Sequence, residues 1–261
     1  LGSGPAAVVT SMPPDMHHFR GSYGAKDAIP LWRDTEGQIP NVVEGLCKTV
    51  GAEPEALFAY CYALLAAPGY TRQFADELEV PGPRLPITRD AELFGRAVAL
   101  GRELIWLHTY GERFVPAGEA AGVVPRGRAR ALDPVPQTRD GYPERHRYDE
   151  ETRTLHVGDG TFAPVSKEVR GFSISGLDVI GSWLDYRMKD GAGRRSSELD
   201  KIRPQTWPAE FTEELLRVIW ILERTVELGP TLDALLDEIV AGPVFLASDL
   251  PEPTEVERQA P

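Results

Sequence analysis

The sequence has 261 residues, of which 28 are Lys or Arg and 40 are Asp or Glu, so its formal net charge is −12. This length is enough for one large domain or two small ones. The negative charge excludes a general nucleic-acid coat protein, because affinity for phosphate requires positive surface.

The first half of the chain is predicted to be helical. Residues 54–67 are apolar on nearly every face, which is typical of a buried helix, and residues 70–78 form a second helix. Residues 91–114 form the longest predicted helix, because Leu93, Ala97, Leu100, Leu104 and Leu107 recur at helical spacing. Arg102, Trp106 and Tyr110 share its other side. That group is either an arginine packed over surface aromatic rings or a docking patch for another domain.

The middle and the end of the chain have mixed patterns. Residues 116–146 are rich in Pro, Gly and Arg and are predicted to be a long loop. Strand patterns and turn signals then predict a hairpin and two short strands, and helical patterns follow. The predicted elements are a hairpin over 147–157, strands over 162–165 and 169–174, and helices over 177–188, 208–228 and 230–240.

These elements predict an α+β fold that is mainly helical, with short strands and a hairpin in the middle third. We expect one domain over residues 1–247, followed by a disordered tail over 248–261 that is rich in Pro and acids. The domain would contain a helical part (35–115), the loop (116–146) and a mixed part (147–247).

The sequence contains no recognisable catalytic, metal-binding or membrane-spanning motif. No P-loop, GxGxxG or GxSxG motif is present, and residues 12–15 (MPPD) lack the polar and aromatic residues of the amino-methyltransferase motif. The adjacent His17 and His18 have no third ligand at metal spacing, and Cys47 and Cys61 form no CxxC pair. No apolar run approaches the roughly 20 residues that span a bilayer. We therefore expect no catalytic residue, metal, cofactor or membrane contact in this chain.

Basic residues are concentrated between residues 121 and 204, which contain 15 Lys and Arg against 13 Asp and Glu. The first basic element is PRGRAR (125–130). In an extended backbone Arg126, Arg128 and Arg130 would project to one side, where they could contact phosphates or guanine edges. A solvated linker would have the same composition.

The second basic element follows the predicted helix 177–188. Arg187 continues the apolar stripe of Ile180 and Leu184, so its stem could pack while its head reaches solvent, or its guanidinium could reach a partner. A helix C-terminus also favours cations. The remaining basic residues lie in the GAGRR loop and in SSELDKIR, where Ser197 and Asp200 could cap a short helix. They are Lys189, Arg194, Arg195, Lys201 and Arg203.

Four segments in order carry a resemblance to a known family. They are HHFRGS with KDAIPLWRD (17–34), LFAYCYALLAAPGYTRQFADEL (57–78), ELFGRAVALGRELIWLHTYGERF (92–114) and VRGFSISGLDVIGSWLDYRMKDGAGRRSSELDKIRP (169–204). Together they resemble the C-terminal specificity (target-recognition) domain of type ISP restriction–modification enzymes, which serve in phage defence.

The resemblance implies a cytoplasmic bacterial protein that recognises a duplex DNA sequence and positions it for a partner adenine-N6 methyltransferase domain. It implies that this chain is one module of a longer enzyme, and that S-adenosylmethionine, ATP and Mg are bound only by other domains. The resemblance supports residues 172–187 and the basic loop that follows as the recognition region. The candidate DNA-binding residues are the nine basic residues of 126–130 and 187–203 described above. The alternative is a helical protein-interaction module without direct DNA contact, which would dock through the Arg102, Trp106 and Tyr110 patch.

Overall fold

The structure of the chain, a computed structural model, describes residues 5–12, 28–76, 84–174, 176–188 and 204–259. It confirms the predicted α+β class, with a small antiparallel sheet and a long C-terminal helix. The chain divides into two compact units. We call them the helical unit (Leu1–Ala121 with Gly229–Pro261) and the mixed unit (Gly122–Leu228).

The helical unit begins with four helices. They are α1 (Glu44–Val50), α2 (Pro54–Ala66), α3 (Pro68–Gln73) and α4 (Ala91–His108). Helix α2 confirms the predicted buried helix, and Pro54 favours its first turn because proline fixes φ and needs no hydrogen-bond donor there. Helix α4 can approach α2 closely because Gly101 has no side chain, and a Cβ at Gly101 would collide with the carbonyl oxygen of Ala59.

Helix α4 is shorter than the sequence predicts. It begins where the Asp90 carboxylate accepts hydrogen bonds from the backbone N–H groups of Glu92 (2.8 Å) and Leu93 (3.1 Å). It ends at His108 and not near residue 114, because Tyr110 (φ 55°) and Gly111 (φ 83°) adopt left-handed conformations that cannot continue a right-handed helix.

The C-terminal helix α7 (Ala209–Ala241) is continuous where two helices were predicted. Pro230 lies inside it and cannot donate a hydrogen bond to the preceding turn. Leu228 and Leu232 on either side of Pro230 are buried. Burial of these flanking side chains offsets the missing hydrogen bond.

Residues 248–259 also differ from the predicted disordered tail. A 3₁₀ turn (Ala247–Asp249) and helix α8 (Glu255–Arg258) are present. A capping box begins α8: the Glu257 carboxylate accepts from the Thr254 N–H at 2.7 Å, and the Thr254 hydroxyl accepts from the Glu257 N–H at 3.3 Å. Glu257 also accepts from the backbone N–H of Glu44 at 2.9 Å, which ties α8 to the start of α1.

The mixed unit contains a four-stranded antiparallel sheet. Its strands are β1 (Arg130–Asp133), β2 (His146–Asp149), β3 (Thr154–Val157) and β4 (Gly160–Ala163), in the spatial order β1-β4-β3-β2. The β2–β3 pair confirms the predicted hairpin. In its turn, backbone N–H groups of Thr152 and Glu151 donate to Asp149 and lower the pKa of that exposed carboxyl group.

Between the sheet and α7 the structure has four short elements. They are α5 (Lys167–Arg170), β5 (Ser173–Ile174), β6 (Leu177–Asp178) and α6 (Val179–Asp185). The predicted strand over 169–174 is observed only at Ser173–Ile174, because residues 169 and 170 belong to α5. The Ser166 hydroxyl accepts from the Val169 N–H at 3.2 Å and starts that helix. The predicted helix over 177–188 begins later, since Asp178 is the N-cap of α6 and accepts from the Gly181 N–H at 2.9 Å.

The core of the mixed unit joins the inner face of the sheet to α6 and α7. In β3 and β4 alternate residues are buried, as the period of two requires. The largest fully buried members are Trp207, Phe162, Leu155, Ile180, Leu184 and Leu215. Among the residues described above, no helix is both long and apolar enough to cross a membrane.

Candidate nucleic-acid interface

The arginine loop, residues 125–130, leads into β1 and exposes Arg126, Arg128 and Arg130. Strand β1 begins only at Arg130, and the backbone bends at Arg128. The regular alternation assumed from the sequence is therefore not present over the whole loop. The side chains are nevertheless on the surface, where a partner can reach them.

Two side chains of α7 hold the backbone of the arginine loop. The carboxylate of Glu223 accepts hydrogen bonds from two consecutive backbone N–H groups, those of Arg128 (2.6 Å) and Ala129 (3.2 Å). The indole N–H of Trp220 donates to the carbonyl oxygen of Ala129 at 2.8 Å. Gly127 lies so close that a Cβ there would collide with the Glu223 carboxylate and lie 2.8 Å from Trp220 Cδ1. The loop is thus seated on the helix by specific polar contacts.

The three guanidinium groups of the loop differ in whether they have a partner within the protein. Arg128 Nη2 lies 3.4 Å from Glu227 Oε1, and both side chains are exposed. Arg130 Nη1 donates to the carbonyl oxygens of Gly127 (2.6 Å) and Ala129 (2.7 Å), so this group braces the loop itself. In the described part of the chain, the Arg126 side chain has no hydrogen bond or ion pair. Arg126 and Arg128 are consequently the groups of this loop most available to a phosphate.

Arg187 packs against the end of α6. Its guanidinium carbon lies 3.9 Å from the centre of the Trp183 ring and 5.2 Å from that of Phe211. Its Nη2 lies 3.1 Å from Glu214 Oε2, and its Nη1 donates to the Trp183 carbonyl oxygen at 3.3 Å. Only 27% of the side chain is exposed. The guanidinium itself is therefore packed over aromatic rings, which differs from the expected stem packing with the head in solvent. Contact between Arg187 and DNA stays a prediction.

Lys189, Arg194, Arg195, Lys201 and Arg203 lie outside the described residues. Of the predicted basic residues that the structure describes, the three arginines of the loop are brought together and Arg187 lies apart in sequence, just after the end of α6.

Sequence reasoning missed the two residues that hold the loop, Trp220 and Glu223. Glu223 is buried although it is an acid, with 6% of its surface exposed. A signal was present, because Glu223 is four residues after the buried Ile219 and so shares its helix face. A buried carboxylate needs hydrogen-bond donors, but the sequence does not show that those donors belong to residues 128 and 129.

Arg102, Trp106 and Tyr110, the predicted docking patch of α4, do not form one exposed surface. Trp106 is buried, with 8% of its surface exposed, whereas Tyr110 follows the helix in a left-handed conformation. Arg102 lies over the ring of Phe114 at 5.1 Å and 3.7 Å from Glu55. Arg102 therefore packs over an aromatic ring, but the ring is not one of those predicted.

Across the parts of the chain that the structure describes, no group of three or more His, Cys, Asp or Glu residues could hold a metal ion. The fold and the site together define a mixed α+β binding domain with an anchored basic loop.

A family model described as the type ISP C-terminal specificity domain matches residues 1–218. The chain belongs to this family, as its four sequence segments predicted.

A solved structure shares the fold. A nuclease-deletion mutant of the type ISP restriction–modification enzyme LlaGI, in complex with a DNA substrate mimic, matches with a TM-score of 0.53 and 20% identity. This match covers 89% of the present chain and 20% of the LlaGI chain. Comparison with curated proteins gives no match.

Two further structures match with TM-scores of 0.48. They are the ATP-dependent type ISP enzyme LlaBIII bound to DNA, at 17% identity, and a DrdV–DNA complex, at 19% identity. The matches cover 80% and 73% of the present chain, but 12% and 18% of the respective relatives. The chain thus spans a fifth or less of the length of these proteins.

Proposed function

We propose that this chain is the module that recognises a duplex DNA sequence for a type ISP restriction–modification enzyme. The observation that carries the proposal is the arginine loop of a specificity-domain family member, seated on α7 with Arg126 and Arg128 exposed. Arginine forms strong, charge-assisted hydrogen bonds with phosphate oxygens. The DNA complexes of LlaGI, LlaBIII and DrdV are consistent with such a role.

The distribution of charge supports the mixed unit as the DNA-facing part. Residues 122–228 contain 17 Lys and Arg against 18 Asp and Glu, a net charge of −1. The rest of the chain contains 11 against 22, a net charge of −11. Nearly all of the net negative charge that would repel DNA therefore belongs to the helical unit.

In the proposed mechanism, phosphate contacts from Arg126, Arg128 and Arg130 set the register of the protein on DNA. Groove contacts from the basic residues of 187–203 would specify the sequence, each good bidentate contact discriminating by about 1–3 kcal/mol. A methyltransferase domain would receive the flipped adenine. S-adenosylmethionine, ATP and Mg would be bound by other domains of the enzyme and not by this chain.

Replacing both Arg126 and Arg128 with alanine is expected to weaken binding to mixed-sequence duplex DNA by about tenfold at low salt. Each lost phosphate contact should also reduce the slope of log K against log salt concentration by about one. Fluorescence anisotropy of a labelled duplex, titrated between roughly 50 and 200 mM salt, measures both quantities.

The double variant Arg72→Ala/Arg96→Ala is the matched control for charge. These arginines pair with Asp233 and Glu238 in the helical unit, at 2.9 and 2.6 Å, and their removal changes the net charge by the same amount. We expect the control to bind DNA much as the unsubstituted chain does. Equal losses in the two double variants would contradict a specific role for the arginine loop.

The alternative of a docking module is weakened by the burial of Trp106. It makes a different prediction, because contact through aromatic rings should respond little to salt, whereas DNA binding falls steeply.

A further inference from the structure

We propose that Glu223 is a positioning residue for DNA binding: by seating the backbone of residues 128 and 129 on α7, its carboxylate holds the arginine loop in the conformation that contacts phosphates. The inference rests on the proposed function. It assigns a binding role to an acidic residue, which the charge of DNA alone would not suggest.

Both carboxylate oxygens of Glu223 accept hydrogen bonds from the arginine loop. A buried carboxylate is costly unless its oxygens accept hydrogen bonds. Here both oxygens do so, and both donors are backbone N–H groups of the arginine loop, at 2.6 and 3.2 Å. In the described part of the chain no cation pairs with Glu223. The Glu223 carboxylate therefore acts on the loop backbone and does not engage the arginine side chains.

Trp220 and Gly127 also hold the arginine loop against α7. Trp220, one turn earlier on α7, donates its indole N–H to the carbonyl oxygen of Ala129 at 2.8 Å. Gly127 leaves the space that the Glu223 carboxylate occupies, and a Cβ there would collide with it. Three consecutive loop residues, 127–129, are thus fixed by α7. An ordered loop loses less conformational entropy when it binds DNA than a free loop would.

Glu227 differs from Glu223 in its exposure and in its partners. It is one turn further along α7 and carries the same charge, but its side chain is 48% exposed. It reaches the guanidinium of Arg128 at 3.4 Å and that of Arg224 at 3.6 Å. Glu227 therefore competes with phosphate for Arg128, whereas Glu223 supports the loop from below.

The experiment compares Glu223→Gln with Glu227→Gln in the full 261-residue chain. Each removes one negative charge with little change of volume. If only charge matters, both variants should bind mixed-sequence duplex DNA more tightly. If Glu223 positions the loop, Glu223→Gln should weaken binding by about three- to tenfold and reduce the salt slope, while Glu227→Gln should bind as well or better.

A measurement without DNA keeps the inference testable by itself. Hydrogen exchange of the peptide containing residues 128 and 129 should become about tenfold faster in Glu223→Gln and stay unchanged in Glu227→Gln. Gly127→Ala disturbs the same contact from the loop side. It replaces Glu223→Gln in the experiment if that variant folds poorly, and it should likewise weaken DNA binding and speed exchange at residues 128 and 129. Protection elsewhere in the mixed unit reports whether each variant is folded.

The possible failures are distinct. Unchanged exchange at residues 128 and 129 in a folded Glu223→Gln variant would overturn the inference. Tighter DNA binding by that variant, equal to that of Glu227→Gln, would also overturn it. If the unsubstituted chain showed no salt-dependent DNA binding, the proposed function would fail and the positioning role with it, even if exchange showed the loop to be seated.

Discussion

Replacing Trp207 with alanine is expected to lower the free energy of unfolding by about 3–5 kcal/mol. Trp207 is completely buried, and its ring centre lies 5.3 Å from that of Phe211, 5.9 Å from Tyr142 and 6.4 Å from Trp183. The substitution would remove these edge-on contacts and leave a cavity lined by rings that cannot close over it. Urea denaturation followed by circular dichroism measures the loss.

Trp207→Phe is the matched control. It keeps an aromatic ring but loses volume and the hydrogen bond from the indole N–H to the Thr212 hydroxyl, at 3.0 Å. We expect a smaller loss, about 1–2 kcal/mol. If Trp207→Ala cost less than about 1 kcal/mol, this aromatic cluster would not be the centre of the core of the mixed unit.

The second large expected effect is a loss of stability on replacement of Arg187. Arg187→Ala is expected to cost about 2–3 kcal/mol, because it removes a largely buried side chain and its cation–π contacts with Trp183 and Phe211. The ion pair with Glu214 adds little, since the Glu214 side chain is 44% exposed and screened by solvent. Arg187→Lys keeps the charge but loses the planar stacking, so an intermediate loss is expected. Urea denaturation again measures the effect.

DNA binding by the same Arg187 variants, at a temperature where all are folded, separates packing from contact. A packing role alone leaves affinity unchanged while stability falls. A direct contact lowers affinity as well, and Arg187→Lys would then recover part of the salt-dependent binding. Glu214→Gln controls for the ion pair and should change stability by less than about 1 kcal/mol.

Predictions from local patterns succeeded where neighbouring residues decide the structure. Helix α2 was predicted over 54–67 and is observed at Pro54–Ala66, because a proline start and an apolar sequence act within the segment. The hairpin over 147–157 was predicted from a polar turn between β-capable flanks, and Asp149 stabilises that turn through the N–H groups of Glu151 and Thr152.

Predictions failed where packing overrides a local rule and where a side-chain cap starts a very short helix. Pro230 signals a helix break, yet α7 continues through it with Leu228 and Leu232 buried. The strand pattern of residues 169–174 is interrupted because the Ser166 hydroxyl caps α5, a helix of four residues that is too short to show periodicity. At Pro230 the burial of the flanking side chains decides the structure, whereas at Ser166 a side-chain cap does so, and the hydrophobic pattern does not show that cap.

The sequence by itself determined the family, the α+β class and the positions of the basic residues. Only the tertiary structure decided what each described arginine does. The acids concerned are distant in sequence: Glu223 is 95 residues from Arg128, Glu227 is 99 residues from it, and Glu214 is 27 residues from Arg187. A guanidinium is most available to a phosphate where folding leaves it exposed and weakly partnered. Folding therefore leaves Arg126 exposed, packs Arg187 against Trp183, and places a buried acid beneath a basic loop.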